Sequence, residues 1–313
     1  MAAISTSAPA KTILFGEHAV VYGAPAIAVP LKALRVKAII QPLLASSKSL
    51  VFIKGKNTIE QFHIDDLPAD NLIKGTFAVF EKKTRIRISP FKLTITSKIP
   101  IAAGLGSSAA VAVAIIRALG EFSGIKLSKE TVSKIAYQSE VIQHGTPSGI
   151  DNSVIAYEEP VYFQKGKGIT YLPIKKKIHL ILADSGERTL TRDVVESVRN
   201  CMVRNPSLYQ NIFDSIGKIT NAAKIALESG NSKQIGELMT QNHTLLKSIN
   251  VSSPKLDLLI MRANEAGAFG AKLCGGGRGG YMVAISSEEN RSKIVEQLHS
   301  ISPYVFETSV GGE

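Results

Sequence analysis

The stretch that decides the fold is Ile99-Pro100-Ile101-Ala102-Ala103-Gly104-Leu105-Gly106-Ser107-Ser108-Ala109-Ala110, which continues into Val111-Ala112-Val113-Ala114-Ile115-Ile116. Residues Phe91–Ser97, before it, alternate apolar and polar side chains, a pattern typical of a strand. The Ala, Val and Ile residues after it predict a helix that ends near Gly120. The predicted order is strand, loop of small residues, helix.

A loop of this kind at the start of a helix favours a bound anion. Gly104 and Gly106 let backbone N–H groups come close to a ligand because no side chain stands in the way. The unpaired N–H groups of the new helix, together with its dipole, attract negative charge. We therefore expect a phosphate group at this loop.

Two other interpretations of the stretch compete with phosphate binding. No charged residue lies between Lys98 and Arg117, which would suit a membrane span. That window barely reaches the length of a span, however, and it contains Pro100, two glycines and two serines. A plain buried helix with a flexible start explains the loop about equally well, so the rest of the chain has to decide.

The composition is typical of a globular protein. The chain has 313 residues, 44% of them hydrophobic and 20% charged, and its length predicts two domains. We place the boundary near Pro173, between a predicted hairpin and the apolar strand Ile178–Ala183, which gives domains 1–173 and 174–313. Cys201 and Cys274 are too few for a disulfide framework, which indicates a reducing compartment. The first ten residues lack the pattern of a secretory signal. We expect a cytoplasmic protein.

The formal net charge of +11 suits a partner rich in phosphate, either a nucleic acid or a nucleotide. The basic residues are mostly scattered, and the densest cluster, Lys175–Lys177, directly precedes an apolar segment. No RNA-binding aromatic signature and no zinc-finger spacing is present in the sequence. A nucleotide is therefore the expected partner, and nucleic acid is the weaker hypothesis.

A second group of glycines lies near the carboxyl end. Gly275, Gly277 and Gly280 formally satisfy G-x-G-x-x-G, but a strand-like segment, Tyr281–Ile285, follows them. A dinucleotide fingerprint needs a strand before the glycines and a helix after them. So many glycines indicate either positive φ angles or close passage of another backbone. Close packing against the central loop would satisfy both.

Three further segments contain acidic residues or histidine that could do chemistry. Glu17 and His18 follow a short apolar run that ends at Gly16, and Glu140 lies in a helix that opens at Ser128. Asp151 follows a tight Gly- and Pro-rich loop, and we expect a strand from Ser153 to Tyr157 after it. Taken alone, each of these residues is more often structural than catalytic.

Three glycine-bearing segments, Ala8–His18, Pro100–Ala110 and Lys272–Gly280, resemble the three motifs of the GHMP kinase superfamily, in order and over nearly the whole chain. Within the superfamily, Gly16–Gly23 and Gly145–Asn152 are most similar to segments of the mevalonate kinases. Arg278 is a departure, since the third motif usually has a small residue there.

The resemblance implies an α+β fold of two domains. These would be an N-terminal α/β domain like ribosomal protein S5 and a C-terminal ferredoxin-like α+β domain. The implied activity is ATP-dependent phosphorylation of the primary alcohol of mevalonate. The alternatives are another GHMP kinase, chiefly phosphomevalonate kinase, or a non-catalytic nucleotide-binding protein on the same scaffold. The expected partners are mevalonate and ATP, without nucleic acid or membrane, and the expected state is a monomer or homodimer.

The resemblance also implies roles for individual residues. Asp151 would orient the substrate hydroxyl or accept its proton, and Lys11 would stabilise charge on the transferred phosphoryl group. Ser108 and Glu140 would hold Mg²⁺. The residues expected to bind the phosphates form one run: Ala103, Gly104, Leu105, Gly106, Ser107, Ser108 and Ala109.

Three residues are expected to contact the substrate: Glu17, His18 and Thr191. From charge alone, Arg188 or Arg192 could pair with the mevalonate carboxylate, because a guanidinium binds a carboxylate through two hydrogen bonds.

Overall fold

The computed structural model describes residues 3–43, 48–55, 58–100, 103–145 and 147–312, except for the side chain of His144. The strands are β1 Ile4–Phe15, β2 Ala26–Pro42, β3 Leu50–Lys54, β4 Ile59–His63, β5 Phe91–Ser97, β6 Val161–Gln164, β7 Gly168–Tyr171, β8 Ile178–Asp184, β9 Gly270–Leu273, β10 Tyr281–Ser286 and β11 Val305–Val310. The helices are α1 Leu72–Thr84, α2 Ser107–Phe122, α3 Lys129–His144, α4 Ile150–Tyr157, α5 Thr191–Arg204, α6 Pro206–Ser229, α7 Ser232–Ser248, α8 Pro254–Glu265 and α9 Glu288–His299.

The first of two compact units contains the described residues within Met1–Lys11, Leu34–Ile101 and Gly106–Glu158. In it β2 pairs antiparallel with β5, β5 pairs parallel with β3, and β3 forms a hairpin with β4. The start of β1 also belongs to this unit, and β1 pairs with β2. Helices α1 to α4 pack against one another. The unit thus combines a mixed sheet with a group of helices.

Local sequence signals account for most of these elements. Asn71 caps α1, its side chain accepting hydrogen bonds from the N–H groups of Ile73 and Lys74. Ser128 caps α3 in the same way by accepting from the Thr131 N–H. The predicted strand Phe91–Ser97 is confirmed as β5, whose alternate residues are buried.

The second unit contains Thr12–Ala33, the described part of Ala102–Leu105, and residues from Glu159 onward. Its four-stranded antiparallel sheet has the order β11-β8-β10-β9. Helices α5 to α8 connect β8 to β9, and α9 connects β10 to β11. This is the β-α-β-β-α-β arrangement with extra helices, so the expected ferredoxin-like α+β domain is confirmed.

The core of the second unit lies between this sheet and its helices. Ile181 on β8 and Met282 on β10 are fully buried, and they belong to one cluster with Leu256 of α8 and Ile294 of α9. In the part of the chain that the structure describes, no helix has both the length and the hydropathy needed to cross a bilayer.

Candidate active site

The central loop between β5 and α2 allows a close backbone approach. Gly104 and Gly106 have φ angles of 73° and 71°, which glycine adopts without steric strain. Ala103 and Leu105 are 4% and 1% exposed, so apolar side chains anchor the loop while the glycines turn it. Gly106 is the N-cap of α2 and has no side chain to cap the helix. The first turn of α2 therefore has the backbone geometry of an anion site.

The two expected catalytic residues meet in the first unit. The Lys11 Nζ atom lies 3.0 Å from Asp151 Oδ1, and the two side chains are 6% and 35% exposed. A Cβ atom added to Gly106 would lie 2.8 Å from Lys11 Cγ. The lysine stem therefore lies against the N-cap of α2, and the ion pair lies beside the start of that helix.

The chain around Asp151 differs from the prediction. The expected strand Ser153–Tyr157 is wrong, because these residues belong to α4, which begins after Gly149 in a left-handed conformation. A short apolar run does not distinguish a strand from a helix, and here Ile150 and Val154 bury one helical face. Asp151 thus lies in the first turn of a helix, where the helix dipole favours a carboxylate.

The two expected Mg²⁺ ligands come from neighbouring helices of the chain. Ser108 is the second residue of α2, and Glu140, on α3, is 5% exposed. A hydroxyl and a carboxylate are hard oxygen donors of the kind that Mg²⁺ prefers, usually alongside substrate phosphates and water. The donor chemistry of these two residues fits a Mg²⁺ ion that arrives with a nucleotide.

Glu17, in the second unit, is held by other protein groups. It is 1% exposed and forms an ion pair with Lys272, whose side chain is fully buried. Asn242 Nδ2 donates to Glu17 Oε2 at 3.3 Å, and Lys272 Nζ also donates to the Leu273 carbonyl at 2.6 Å. Burial raises the pKa of Glu17, and the Lys272 ammonium opposes that shift. Direct contact of Glu17 with a substrate does not fit this geometry, because its carboxylate is enclosed by protein.

His18 has different hydrogen-bond partners from Glu17. Its Nε2 atom lies 2.9 Å from the Gly276 carbonyl, and burial lowers the pKa of His18 to about 4, so the ring is neutral at pH 7. A carbonyl only accepts hydrogen bonds, so Nε2 carries the hydrogen and Nδ1 is an acceptor. Within the described part of the chain, Nδ1 is buried and has no hydrogen-bond partner.

The carboxyl-terminal glycines have positive φ angles and also lie close to another part of the backbone, the two conditions that their number suggested. Gly275, Gly277, Gly279 and Gly280 all have positive φ angles, from 77° to 129°. A Cβ atom on Gly275 would lie 3.7 Å from the Cα atom of Gly104. The predicted close packing of this segment against the central loop is therefore confirmed.

Thr191 and His18 lie on either side of one glycine. Thr191 begins α5 and is exposed. A Cβ atom on Gly276 would lie 3.0 Å from Thr191 Oγ1, and the Gly276 carbonyl meets the His18 ring. The structure thus brings together two of the three expected substrate-binding residues.

The arginines proposed for a substrate carboxylate have partners within the protein. Arg188 donates two hydrogen bonds to Asp184, at 2.7 and 2.6 Å. The pKa of Asp184 is lowered by this pairing, against the effect of its partial burial. Arg192 is 83% exposed and lies 3.3 Å from Asp193. Arg188 is therefore occupied, and Arg192 extends into solvent.

Arg278, the departure in the third motif, is a structural residue. Its φ angle is 51°, a left-handed conformation that is uncommon for a residue with a side chain. Its guanidinium donates to the Asn250 carbonyl at 2.9 Å and to Ser197 Oγ at 3.0 Å. These hydrogen bonds hold the side chain against α5 and the end of α7.

Sequence reasoning missed the partners of Glu17. Lys272 lies between Ala271 and Leu273, and a lysine enclosed by apolar neighbours in a strand needs a buried partner. That signal indicates that a carboxylate must be near, but it does not identify Glu17. Asn242 carries no signal, because polar residues on helices are exposed by default.

Comparison with known proteins gives two matching family profiles. The profile described as "GHMP kinases N terminal domain" matches residues 71–159. The profile described as "GHMP kinases C terminal" matches residues 223–302.

Individual relatives match over nearly the full chain. The mevalonate kinase of Pyrococcus furiosus is 35% identical, over 92% of this chain and 90% of its own length. The crystal structure of the Methanococcus jannaschii mevalonate kinase is similar with a TM-score of 0.86 at 27% identity, covering 98% of each chain. The L. major mevalonate kinase in complex with R-mevalonate has a TM-score of 0.84 at 28% identity, covering 98% of this chain and 96% of its own.

Proposed function

This chain belongs to the GHMP kinases, and from that premise we propose that it is a mevalonate kinase, which transfers the γ-phosphoryl group of ATP to the primary hydroxyl of mevalonate to give 5-phosphomevalonate. The observation that carries the proposal is the Lys11–Asp151 ion pair beside Gly106, at the start of the phosphate-loop helix. A module that only binds nucleotides has no need of the Asp151 carboxylate, or of Glu140, beside a phosphate loop. The similarity to curated mevalonate kinases supports the choice of substrate.

The reaction forms one P–O bond and breaks another. The substrate hydroxyl oxygen attacks the γ-phosphorus, the bond to the bridging oxygen breaks, and ADP leaves. Asp151 orients the hydroxyl and accepts its proton. Lys11 stabilises the negative charge that develops on the phosphoryl oxygens. The loop residues Ala103–Ala109 hold the phosphates through backbone N–H groups.

Mg²⁺ is the cation that this chemistry implies, and Ser108 and Glu140 are the residues that would hold it. When bound with ATP, Mg²⁺ neutralises charge on the phosphates. The contribution of the protein is to supply a hydroxyl from α2 and a carboxylate from α3.

His18 and Thr191 are the proposed substrate contacts. The unprotonated Nδ1 atom of His18 is a buried acceptor without a partner in the described part of the chain, and a substrate hydroxyl that reaches it would satisfy it. The exposed Thr191 hydroxyl can donate a hydrogen bond. We assign Glu17 a supporting role: its ion pair with Lys272 anchors the turn from which His18 projects.

The second candidate, phosphomevalonate kinase, is disfavoured because three cations of the second unit already have partners within the protein. A substrate that already carries a phosphate needs additional free positive charge in its site. Lys272 is neutralised by Glu17, and Arg188 by Asp184. Arg278 is held by hydrogen bonds to Asn250 and Ser197.

We propose a cytoplasmic enzyme, monomeric or homodimeric, that does not act on nucleic acid or membranes. We also retain the domain boundary at residues 173 and 174. The two family profiles fall on opposite sides of that boundary, which supports it.

The test is a substrate screen with the purified protein, ATP and Mg²⁺. ADP release is measured with mevalonate, phosphomevalonate, galactose and homoserine, and the product is identified by mass. We expect turnover with mevalonate and a product heavier by one phosphoryl group. Turnover only with phosphomevalonate would support the second candidate, and no turnover with any of the four would support a binding protein.

A further inference from the structure

A carboxylate at the far end of α4 joins the elements that carry the proposed catalytic residues. Glu158 directly follows α4, and both of its oxygens accept hydrogen bonds from Arg35, at 2.9 and 2.8 Å. Arg117, on α2, donates to Glu158 Oε1 at 2.7 Å. The guanidinium of Arg117 also donates to the Ser7 carbonyl on β1 at 2.6 Å and to the Ala156 carbonyl at 2.9 Å.

The elements joined at this point include the three that carry Lys11, Asp151 and Ser108. From Ser7 to Lys11 is four strand residues, about 13 Å. From Glu158 back to Asp151 is seven residues of helix, about 10 Å, and from Arg117 back to Ser108 is nine, about 13 Å. The Lys11–Asp151 pair joins two of these elements at one end, and the Glu158 cluster joins all three at the other.

The left-handed backbone at Glu158 indicates that this residue is present for the contacts of its side chain. Its φ angle is 58°, the left-handed conformation that closes many helices and that usually belongs to glycine. A residue with a Cβ atom is strained in that conformation. The residue at this position therefore keeps a strained backbone together with a carboxylate that contacts two arginines.

This cluster differs from an ordinary surface ion pair. The side chains of Arg35, Arg117 and Glu158 are 32%, 23% and 25% exposed. The two arginine pairings lower the pKa of Glu158, against the effect of its partial burial. By contrast, Glu130 and Lys134 on α3 are 64% and 71% exposed and belong to one helix, so that pair joins no elements and serves as a matched control.

We propose that Glu158 is a positioning residue for phosphoryl transfer: by fixing α4 against β1 and α2, it sets where the Asp151 carboxylate stands relative to Lys11 and the start of α2. The proposal rests on the catalytic role of Asp151 assigned above. A displacement of about 1 Å in a catalytic group can lower a rate by up to about 100-fold, so small movements of α4 matter.

The experiment measures kcat, both KM values and the melting temperature for Glu158→Gln, Asp151→Asn, the double variant and the control Glu130→Gln. We expect Glu158→Gln to lower kcat about 10- to 100-fold with little change in the KM for ATP, and Glu130→Gln to leave kcat unchanged. In the Asp151→Asn background, Glu158→Gln should lower kcat by less than about 2-fold, because a group already removed cannot be misplaced.

A second variant separates a loss of kcat from a loss of folding. Glu158→Gly removes the carboxylate but relieves the left-handed strain, so its melting temperature should fall less than that of Glu158→Gln while its kcat falls equally. A lowered melting temperature with normal kcat in both variants would overturn the proposal, as would equal losses of kcat in the presence and absence of Asp151. Normal kcat in Asp151→Asn alone would instead overturn the catalytic assignment on which the proposal rests.

Discussion

At the scale of single residues, the site depends on charges that the protein has already paired. Lys11 is 6% exposed, and its ammonium lies 3.0 Å from Asp151. A largely buried ammonium needs a partner because desolvation of an unpaired charge is costly. The partly exposed carboxylate therefore serves both the stability of Lys11 and, in the proposed reaction, the substrate hydroxyl.

The substitution Asp151→Asn separates these two roles. An amide cannot accept the hydroxyl proton, so we expect kcat to fall by ~10²–10⁴-fold while the KM for ATP stays nearly unchanged. Measuring kcat together with the melting temperature checks this. A destabilised protein with near-normal turnover would show that Asp151 only partners Lys11 and stabilises the first turn of α4.

Ser108→Ala tests the hydroxyl at the start of α2. Gly106 is the N-cap of this helix, so removing the Ser108 hydroxyl should lower the unfolding free energy by no more than about 1 kcal/mol. We expect kcat to fall, most strongly at limiting Mg²⁺, because a proposed metal ligand is lost. Titration of activity with Mg²⁺ is the measurement, and an unchanged titration curve would remove Ser108 from the ligand set.

At the scale of elements, the second unit places its loops by close backbone contact. The segment that follows β9 reaches the central loop at Gly275 and passes the Val251 carbonyl at Gly277. The N–H of Arg278 donates to the same Val251 carbonyl at 2.8 Å. The Val251 contact leaves no room for a side chain at Gly277, so this glycine is required by packing as well as by its φ angle. Gly275 lies at an ordinary van der Waals distance from Gly104, and its φ angle of 78° is what favours glycine there.

Gly277→Ala should be strongly destabilising. A Cβ atom there would lie 1.9 Å from the Val251 carbonyl oxygen, at a φ angle of 80°. Gly124→Ala is the matched control, because Gly124 has a φ angle of 71° and no neighbour within 4 Å of an added Cβ. We expect the control to lose about 1 kcal/mol from left-handed strain and Gly277→Ala to lose clearly more, measured by urea unfolding. Equal losses would show that the loop moves aside without penalty.

At the scale of the whole molecule, buried ionisable groups link stability to pH. Burial lowers the pKa values of His18 and His243 to about 4, from an ordinary value of 6.5. For His18 the hydrogen bond to Gly276 partly offsets this shift, and for His243 the nearby Lys272 ammonium adds to it. Both rings are therefore neutral in the folded protein at pH 7.

Acidification should destabilise the fold in a defined range. Between pH 6.5 and about 4 the unfolded chain binds protons at these histidines that the folded chain does not, so the unfolding free energy falls as the pH is lowered. Each histidine would contribute up to about 3 kcal/mol, which is fully lost below the folded pKa. Urea unfolding from pH 7 to 4 measures this. His243→Gln should reduce the slope, and an unchanged slope in that variant would contradict the assignment.

Sequence alone determined the features that depend on local chemistry. The alternation in Phe91–Ser97 predicted β5, and the small residues after it predicted the loop and α2, because strand periodicity and glycine geometry act over a few residues. The motif order along the chain led to the GHMP kinases and to the expectation that Lys11 and Asp151 are catalytic. These signals needed no knowledge of distant contacts.

Only the tertiary structure decided which polar residues were enclosed and which elements they joined. Glu17 and Lys272 are 255 residues apart in sequence, and nothing local indicates that a carboxylate after Gly16 is buried. Glu158 carries no local sequence signal, because its contacts depend on the meeting of α4, β1 and α2. The physical reason is the same in both cases: the partner that satisfies a buried charge is chosen by packing, and packing brings together residues that are remote in sequence.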